Sequence, residues 1–388
     1  MTTVRVAGVG LTHFGTHPER TSRDLFAEAG LTALEEASVD RDDVEAVYYG
    51  NFMGELSEHQ GHQGPLAAEA LGVQAPATRY ESACASSGVA LRQAVRDVRN
   101  GEADLVVVGG AERMNNLSTA ESTEALAIAA DDLYEVRAGV TFPGAYAMMA
   151  TAYFDQFGGT REDLAHIAVK NHENALVNEH AQYQREISVE DALDSPPVAD
   201  PLHLYDACPV TDGASAVVLA SEAYAERNDL DAGVAITGTG QGGDMMALHD
   251  REDVATSPAA TEAAEEAYAD ADVAAGDVDL AEVHDCFTIA EVLATESLGF
   301  FETGEGVTAA RDGVTTQHGD LPVNLSGGLK AKGHPVGATG TSQVAELTKL
   351  LRGDHVNSKY VPEARVGVAH NAGGTVASAV VHVMEAVE

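Results

Sequence analysis

The sequence is poor in cysteine, in tryptophan and in long apolar runs. Three cysteines stand at positions 84, 208 and 286, and tryptophan is absent from all 388 residues. Cysteines this far apart form no CxxC pair, so we expect neither a disulfide framework nor a structural zinc site. No stretch approaches the roughly 18 apolar residues of a membrane span. The first residues lack the basic and apolar segments of a signal peptide, so we expect a cytoplasmic protein without membrane contact.

Positive charge is scarce as well. The chain has 62 acidic against 22 basic residues, five of them lysine, and a net charge of −40. The acids are spread along the chain, which argues against a single acidic tail. A fold so charged repels itself until concentrated salt screens the repulsion, which is typical of a halophile's cytoplasmic protein. An acidic patch for a cationic partner is the alternative; nucleic-acid binding is not expected.

Apolar runs rich in β-formers alternate with amphipathic stretches. Two of these stretches, TSRDLFAEAGLTALEEA and SSGVALRQAVRDVRNG, have helical periodicity. This alternation predicts an α/β fold with sheets buried on both faces. The predicted strands begin near Val4, Val44, Ala103, Ala214, Gly233, Val278, Ala364 and Ala377.

A weak internal repeat in the sequence suggests a duplication. Cys84 and His334 are each followed by a small-residue turn, a helix, and a strand that ends in glycines. The pattern predicts two copies of one α/β unit placed face to face. We assign residues 1–115 and 206–228 to the first half and residues 229–388 to the second. Residues 116–205, more polar and aromatic, are assigned to an inserted loop domain.

Cys84 is the first candidate for chemistry. Its neighbours, from Ala83 to Gly88, are small enough for a substrate to approach the sulfur closely. A thiol at a helix N-terminus should have a lowered pKa, and the free N–H groups there could hold an oxyanion. A lone cysteine of this kind could equally be an inert core thiol, so the interpretation requires a base nearby.

Histidines supply candidate bases on other loops. His334 stands in GGLKAKGHPVGATG, where proline and glycines would present the imidazole rigidly. His284 and Cys286 in EVHDCF, and His370 in VAHNAGG, follow predicted strands. A neutral imidazole near the thiol could take its proton. A metal site is the less favoured alternative, because no helical HxxxH spacing supports one.

Taken together, these motifs resemble the thiolase superfamily over nearly the whole chain, and the HDCF and HNAGG variants resemble its sterol-carrier-protein-2-type and archaeal members. The resemblance implies two duplicated βαβαβαββ halves in a five-layered αβαβα arrangement. It implies reversible Claisen condensation of two acetyl-CoA to acetoacetyl-CoA through an acyl-cysteine. The supporting motifs are CASS, HDCF, GHPVGATG and HNAGG, with GGAERMN from Gly109 and TDGASAVVL from Thr211.

The resemblance also assigns roles. Cys84 would carry the acyl group and His334 would deprotonate it, with an oxyanion hole formed by the Cys84 N–H and an N–H near Ala372. His370 stands where the common type has a second cysteine, so either Cys286 or His370 would transfer the α-proton, and His284 and His334 would hold the enolate. The expected CoA neighbours are Ser326, Gly327, Ala372 and Gly373, and the candidate cations for its phosphates are Arg113, Arg137, Arg161, Lys170 and Arg185.

No resident cofactor or metal is expected beyond the acyl-CoA substrates. The resemblance implies a homodimer or homotetramer, a possible small OB-fold or zinc-ribbon partner, and a possible hydroxymethylglutaryl-CoA synthase partner. It points to isoprenoid or polyhydroxyalkanoate synthesis. Three alternatives stay open: a β-ketothiolase of broader chain length, a ketoacyl synthase or hydroxymethylglutaryl-CoA synthase relative, and a non-catalytic lipid carrier or scaffold.

Overall fold

The computed structural model describes residues 3–387. The strands are β1 (Val4–Leu11), β2 (Ala46–Gly50), β3 (Ala77–Tyr80), β4 (Leu105–Glu112), β5 (Pro197–Ala199), β6 (Leu202–His203), β7 (Gly213–Ser221), β8 (Val234–Gly243), β9 (Leu280–Glu282), β10 (Val366–Gly373) and β11 (Ser378–Ala386). The helices are α1 (Ser22–Ala37), α2 (Gly54–Ser57), α3 (Gln63–Leu71), α4 (Ser86–Arg99), α5 (Thr119–Ala127), α6 (Phe142–Phe157), α7 (Arg161–Ala175), α8 (Val189–Asp194), α9 (Glu222–Arg227), α10 (Pro258–Ala271), α11 (Thr288–Ser297), α12 (Gly306–Arg311) and α13 (Thr339–Arg352).

The main sheet has an internal symmetry. Its strand order over residues 3–387 is β3-β2-β4-β7-β1-β8-β11-β10-β9. The halves meet where Val4–Val6 of β1 pairs with Val234–Ile236 of β8. Beyond this seam, β7 and β11 are equivalent, as are β4 and β10, and β2 and β9. Val323 forms a parallel bridge to Ala281 of β9, in the place that β3 takes beside β2. The predicted duplication is confirmed.

Helices cover both faces of each half. The central core joins Val95 of α4 and Leu347 of α13 to strand residues of both halves. A second core packs α1 and α3 on the outer face of the first half, and a third packs α10 and α11 on the second. The result is the predicted five-layered arrangement, in which α4 and α13 are buried between two layers of strands.

The two central helices approach closely near their first turns. A Cβ placed at Gly340 of α13 would lie 2.4 Å from the backbone nitrogen of Gly88 in α4. Real Cβ atoms do not come this near to backbone, so the crossing requires glycine at this point. The loops that precede α4 and α13 are therefore held side by side. These loops carry Cys84 and His334.

Some elements differ from the sequence-based expectation. The predicted strand near Val278 is only three residues long, and β3 was not predicted. Its sequence, ATRY, is too short to show a pattern. Residues 116–205 contain α5 to α8 and the β5–β6 pair, and α6 and α7 pack against α11. The proposed domain boundaries stay a prediction.

Candidate active site

Cys84 lies in a tight turn at the start of α4. Ala83, just before it, has φ of +48°, which is uncommon for a residue with a side chain. Ser86 braces the turn: its hydroxyl donates to the carbonyl of Ala83 and accepts from the N–H of Ser82. Cys84 is half-buried. The turn aims the thiol into a cavity instead of along the helix.

The pKa of this thiol moves against our expectation. Burial raises the pKa of Cys84 to about 12, while the N–H of Gly374 and the thiol's own backbone N–H act in the opposite direction. The prediction of a lowered pKa is wrong, because desolvation by an apolar cavity outweighs the nearby amides. Both N–H groups are close enough to the sulfur to stabilise negative charge there, as the donors of an oxyanion hole do. The second is Gly374, two residues beyond the expected Ala372.

A cavity of about 190 Å³ lies in front of the thiol. Cys84, Cys286 and His334 all line it, as predicted for residues that share a site. Cys208, for which no role was predicted, lines it too, so the three cysteines of the chain meet at one cavity. Most other lining residues are apolar or aromatic: Phe52, Met114, Leu126, Ala129, Phe142, Pro143, Tyr146, Ala207, Pro209, Val210, Phe287 and Val336.

His334 is held as a base. Its Nδ1 lies 2.7 Å from the hydroxyl of Thr339, and that hydroxyl donates to the carbonyl of Pro335 at 3.1 Å. With its one proton so used, the hydroxyl must accept from Nδ1–H. The other nitrogen, Nε2, is then unprotonated and free to accept. Burial lowers the pKa of His334 to about 3, so the ring is neutral at physiological pH.

His284 is held in the opposite tautomer. The side-chain amide of Asn371 donates to its Nδ1 at 3.1 Å, which places the ring proton on Nε2. The rings of His284 and His334 meet edge to face with centroids 5.0 Å apart. Burial lowers the pKa of His284 well below its usual value. The site thus holds one imidazole that can accept a proton and one that can donate a hydrogen bond.

The thiol and these two rings form one compact cluster. A ligand atom from each of Cys84, His284 and His334 lies within 4.8 Å of the others. Such a trio also has the composition of a metal site. Nδ1 of His284 accepts from Asn371 and Nε2 carries the proton, so this ring has no free lone pair for a metal, which favours acid–base chemistry. The expected absence of a metal stays a prediction.

Of the neighbours His370 and Asn371, only Asn371 hydrogen-bonds to Cys84. Asn371 donates to the carbonyl of Cys84 at 3.1 Å as well as to His284. His370 lies behind, where its Nδ1 faces the backbone N–H of His284 at 3.5 Å. It is 2% exposed and does not line the cavity. The structure therefore places the side chain of Asn371 against both Cys84 and His284, whereas the ring of His370 faces the backbone of His284.

Cys286 faces the cavity from the second half of the fold. Its carbonyl accepts from the N–H of Cys208 at 3.0 Å, and its thiol lies beside the hydroxyl of Tyr146. Burial raises the pKa of Cys286 well above its usual value, and hydrogen bonding with Tyr146 partly opposes this. Of the two candidates for α-proton transfer, only Cys286 is placed against the cavity.

Carboxylates in the family motifs hold the loops in place. Glu112, at the end of β4, accepts N–H groups from Phe52, Met53 and Gly337. It thereby ties the His334 loop to the first half of the fold. Asp285, next to His284, accepts the N–H of Leu329 at 2.6 Å and so anchors the segment that leads to His334. Their task is positional.

The four residues expected to contact CoA differ in their exposure to solvent. Ser326 is 0% exposed, and both its N–H and hydroxyl donate to Glu282. Gly327 is buried against Ala175, so neither residue offers exposed surface to CoA in this structure. Ala372 is buried in β10, whereas Gly373 lines a surface groove beside the Cys84 turn. Contact of these residues with CoA stays a prediction.

The candidate cations for the CoA phosphates differ in whether their side chains already have partners. Lys170 is buried and pairs with Glu291 at 2.7 Å, which removes it as a phosphate ligand. Arg185 lines a second cavity of about 190 Å³ together with Lys330, and this cavity shares Ala207, Cys208 and Pro209 with the first. The other three are engaged elsewhere: Arg113 with Pro18 O, Arg137 with Asp132, and Arg161 with Leu193 O.

Sequence reasoning missed several contributors. Tyr146 comes from α6 and has no motif of its own, and Cys208 lies in YDACPVTDG, where only its spacing from other cysteines was considered. The amide of Gly374 carries no side-chain signal. Thr339 could have been found, because it stands five residues after His334, at the start of the helix that follows.

Comparison with known proteins defines the class. The family description "Thiolase, N-terminal domain" matches residues 4–223, and "Thiolase C-terminal domain-like" matches residues 240–386. Together they cover nearly the whole chain, and the duplicated five-layered fold agrees with them. The chain belongs to the thiolase family.

Similar curated proteins extend over the full length. An acetyl-CoA acetyltransferase of Methanothermobacter thermautotrophicus is 45% identical, and one of Methanocaldococcus jannaschii is 40% identical, each over 99% of both chains. Human sterol carrier protein 2 is 32% identical over 95% of this chain and 70% of its own length. The solved structure of an "Ltp2-ChsH2(DUF35) aldolase" superposes with a TM-score of 0.85 at 27% identity, over 99% of this chain and 98% of that one. Among residues 3–387, no helix combines the length and apolarity of a membrane span.

Proposed function

We propose that this chain is an acetyl-CoA C-acetyltransferase, which condenses two acetyl-CoA to acetoacetyl-CoA and CoA and also runs the reverse thiolysis. The observation that carries the proposal is the cluster of Cys84, His284 and His334 beside the backbone N–H groups of Cys84 and Gly374. The full-length similarity to two archaeal acetyl-CoA acetyltransferases supports acetyl-CoA as the substrate. The alternatives of a synthase or a carrier gain no support from the described site.

Acylation of Cys84 begins the cycle. The thiol gives its proton to Nε2 of His334 while its sulfur attacks the thioester carbonyl. The oxyanion lies between the N–H groups of Cys84 and Gly374. The bond from the carbonyl carbon to the CoA sulfur then breaks, and the departing thiolate takes a proton from Cys286. The site now holds an acetyl-cysteine, a protonated His334 and an ionised Cys286.

Condensation completes the cycle. Ionised Cys286 takes the α-proton of the second acetyl-CoA, a transfer that requires a strong base because thioester α-protons are weakly acidic. Burial supplies that basicity by raising the pKa of the thiol. The enolate oxygen accepts hydrogen bonds from His284 Nε2–H and from protonated His334. The α-carbon attacks the acetyl group, and Cys84 leaves with the proton returned by His334.

The second cavity suggests where CoA phosphates bind. Among residues 3–387, neither the guanidinium of Arg185 nor the side-chain ammonium of Lys330 has a carboxylate oxygen within 4.0 Å, although the chain carries a large excess of acids. The two cations lie 5.3 and 5.5 Å from the ring centre of Tyr205. Because the cavity adjoins the catalytic one along Ala207–Pro209, a CoA whose sulfur is at Cys84 could extend through it. We therefore place a phosphate of CoA near Arg185 and Lys330.

Assembly and physiology are finer parts of the proposal. We propose a homo-oligomer that is most stable in molar salt, where the self-repulsion of a −40 chain is screened. The structural neighbour is named as an aldolase with a DUF35 component, which supports a small partner protein for this chain as well. A role in isoprenoid or polyhydroxyalkanoate synthesis, and a hydroxymethylglutaryl-CoA synthase partner, rest on the family resemblance.

A direct assay tests the activity. Purified protein in 2 M KCl is given acetoacetyl-CoA and CoA, and acetyl-CoA formation is followed by chromatography, with and without a co-expressed partner. Wild type should form acetyl-CoA, and Cys84→Ser should not. Absence of turnover in every condition would favour the carrier alternative.

A further inference from the structure

Tyr146 touches two parts of the site at once. Its hydroxyl donates to the carbonyl of Gly374 at 3.0 Å and lies beside the thiol of Cys286. Gly374 is the residue whose N–H faces Cys84. The tyrosine ring is 1% exposed and stacks on Phe287, next to Cys286, with centroids 4.7 Å apart. One side chain thus links the oxyanion hole to the proposed α-proton acceptor.

The turn that Tyr146 holds is a strained one. Gly374 has φ of +62° and Val376 has φ of +66°, so both residues adopt left-handed conformations. For valine this conformation is costly and persists only where neighbours enforce it. Arg251 supplies the second brace: its buried guanidinium donates to the carbonyl and the hydroxyl of Thr375, at 2.6 and 3.0 Å. The two carbonyls that follow the Gly374 N–H along the chain, those of Gly374 and Thr375, are therefore each held by a buried side chain.

We propose that Tyr146 is a positioning residue of the reaction, one that fixes the Gly374 N–H against Cys84 and donates a hydrogen bond to Cys286 when that thiol is ionised. A tyrosine hydroxyl has one proton to donate. While Cys286 is a thiol, the proton goes to the Gly374 carbonyl; once CoA has left and Cys286 is a thiolate, the sulfur is the stronger acceptor. The proposal rests on the thiolase function above.

Tyr146→Phe tests the proposal with a matched control. Phenylalanine keeps the ring and its stacking on Phe287 and removes only the hydroxyl. Tyr153→Phe is the control, because Tyr153 lies in the same helix, is equally buried and bonds Glu296 outside the site. In the thiolysis assay, Tyr146→Phe should lower kcat about tenfold or more with KM within about twofold, since losing a transition-state contact lowers kcat. Tyr153→Phe should leave kcat near wild type at a similar unfolding midpoint.

A second readout separates this inference from the thiolase function. Iodoacetamide labelling of Cys286 and Cys208, followed by peptide mass spectrometry, requires no turnover. Without the hydroxyl that stabilises its thiolate, Cys286 should be labelled several-fold more slowly relative to Cys208 than in wild type or Tyr153→Phe. An unchanged labelling ratio, or equal kcat in the two variants, would overturn the proposal while leaving the activity intact. If Tyr146→Phe does not fold, Arg251→Lys should show the same loss of kcat at unchanged KM, and wild-type kcat in that variant would equally overturn it.

Discussion

Asn371 and His284 are joined by a 3.1 Å hydrogen bond that decides which nitrogen of the histidine carries its proton. An amide NH₂ can only donate, so Nδ1 of His284 must accept and Nε2 must hold the hydrogen. Nε2 is buried and has no hydrogen-bond partner in the part of the chain that the structure describes. A buried donor without a partner is costly, and in this place it suits a ligand oxygen.

Two substitutions of Asn371 should therefore differ. Asn371→Ala leaves the tautomer of His284 unconstrained, and we expect kcat to fall about tenfold. Asn371→Asp places an acceptor at Nδ1, which moves the ring proton away from the substrate. A reversed tautomer costs about 10⁴-fold in a serine protease, so we expect the aspartate variant to lose far more than the alanine variant. Equal kcat values for the two variants would contradict the tautomer assignment.

The pH dependence of Cys84 labelling tests its electrostatics. Because burial raises the pKa of this thiol to about 12, its thiolate fraction in the absence of added substrate should rise tenfold with each pH unit. His334 cannot compensate by ion pairing, since its own pKa is lowered to about 3 and the ring stays neutral above pH 4. Iodoacetamide labelling of Cys84, followed by peptide mass spectrometry, should accelerate without a plateau between pH 7 and pH 9.5. A plateau below pH 8 would indicate a cysteine–histidine ion pair instead.

A substitution of Cys286 distinguishes its role in α-proton transfer from the acylation of Cys84. In Cys286→Ala, Cys84 still has His334 and both oxyanion N–H groups. We expect acetyl transfer from acetyl-CoA onto Cys84 to persist in slowed form, while acetoacetyl-CoA formation falls by about 10³-fold, a magnitude typical of losing an acid–base group. The control is His370→Gln, placed behind the cavity, in which condensation should fall by less than tenfold. The opposite ranking would assign the transfer to His370.

The crossing of the central helices should tolerate no side chain. In Gly340→Ala, the new Cβ would lie 2.4 Å from the backbone nitrogen of Gly88, so α4 and α13 must move apart. Overpacking of this kind costs about 1–3 kcal/mol, and chemical denaturation should show that loss of unfolding free energy. Gly276→Ala is the matched control, because nothing lies within 4 Å of its added Cβ. Equal stability of the two variants would show that the helices have room to separate.

The sequence was most informative where one residue carries a strong local signal. The apolar runs of β1, β4 and β7 are continuous and buried, and Cys84 and His334 stand in turns of small residues that few other functions require. Features that arise only from contacts between distant parts of the chain could not be predicted from the sequence. β3 and β9 have only four and three residues, too few to show a local pattern, and are strands because they pair with β2 and β10. Tyr146 reaches the site only because α6 packs against α11, and the role of Gly374 belongs to a backbone amide.

The choice between Cys286 and His370 shows the same limit. Cys286 follows β9 and His370 lies within β10, both in the second half, and the motif position alone favoured neither strongly. The structure separates them by depth: Cys286 lines the cavity, and His370 lies one layer behind it against the backbone of His284. Alternation of side chains along β10 turns Asn371 toward Cys84 when His370 faces away.

Mass spectrometry of the acyl-enzyme tests the central claim most directly. Wild-type protein and Cys84→Ala are mixed with acetyl-CoA in molar salt, quenched in acid and digested. We predict one acetyl group on the peptide that contains Cys84 in wild type, removed again when CoA is added, and none in the variant. An active wild-type enzyme that carries its acetyl group on Cys208 or Cys286, or on no cysteine, would contradict this mechanism.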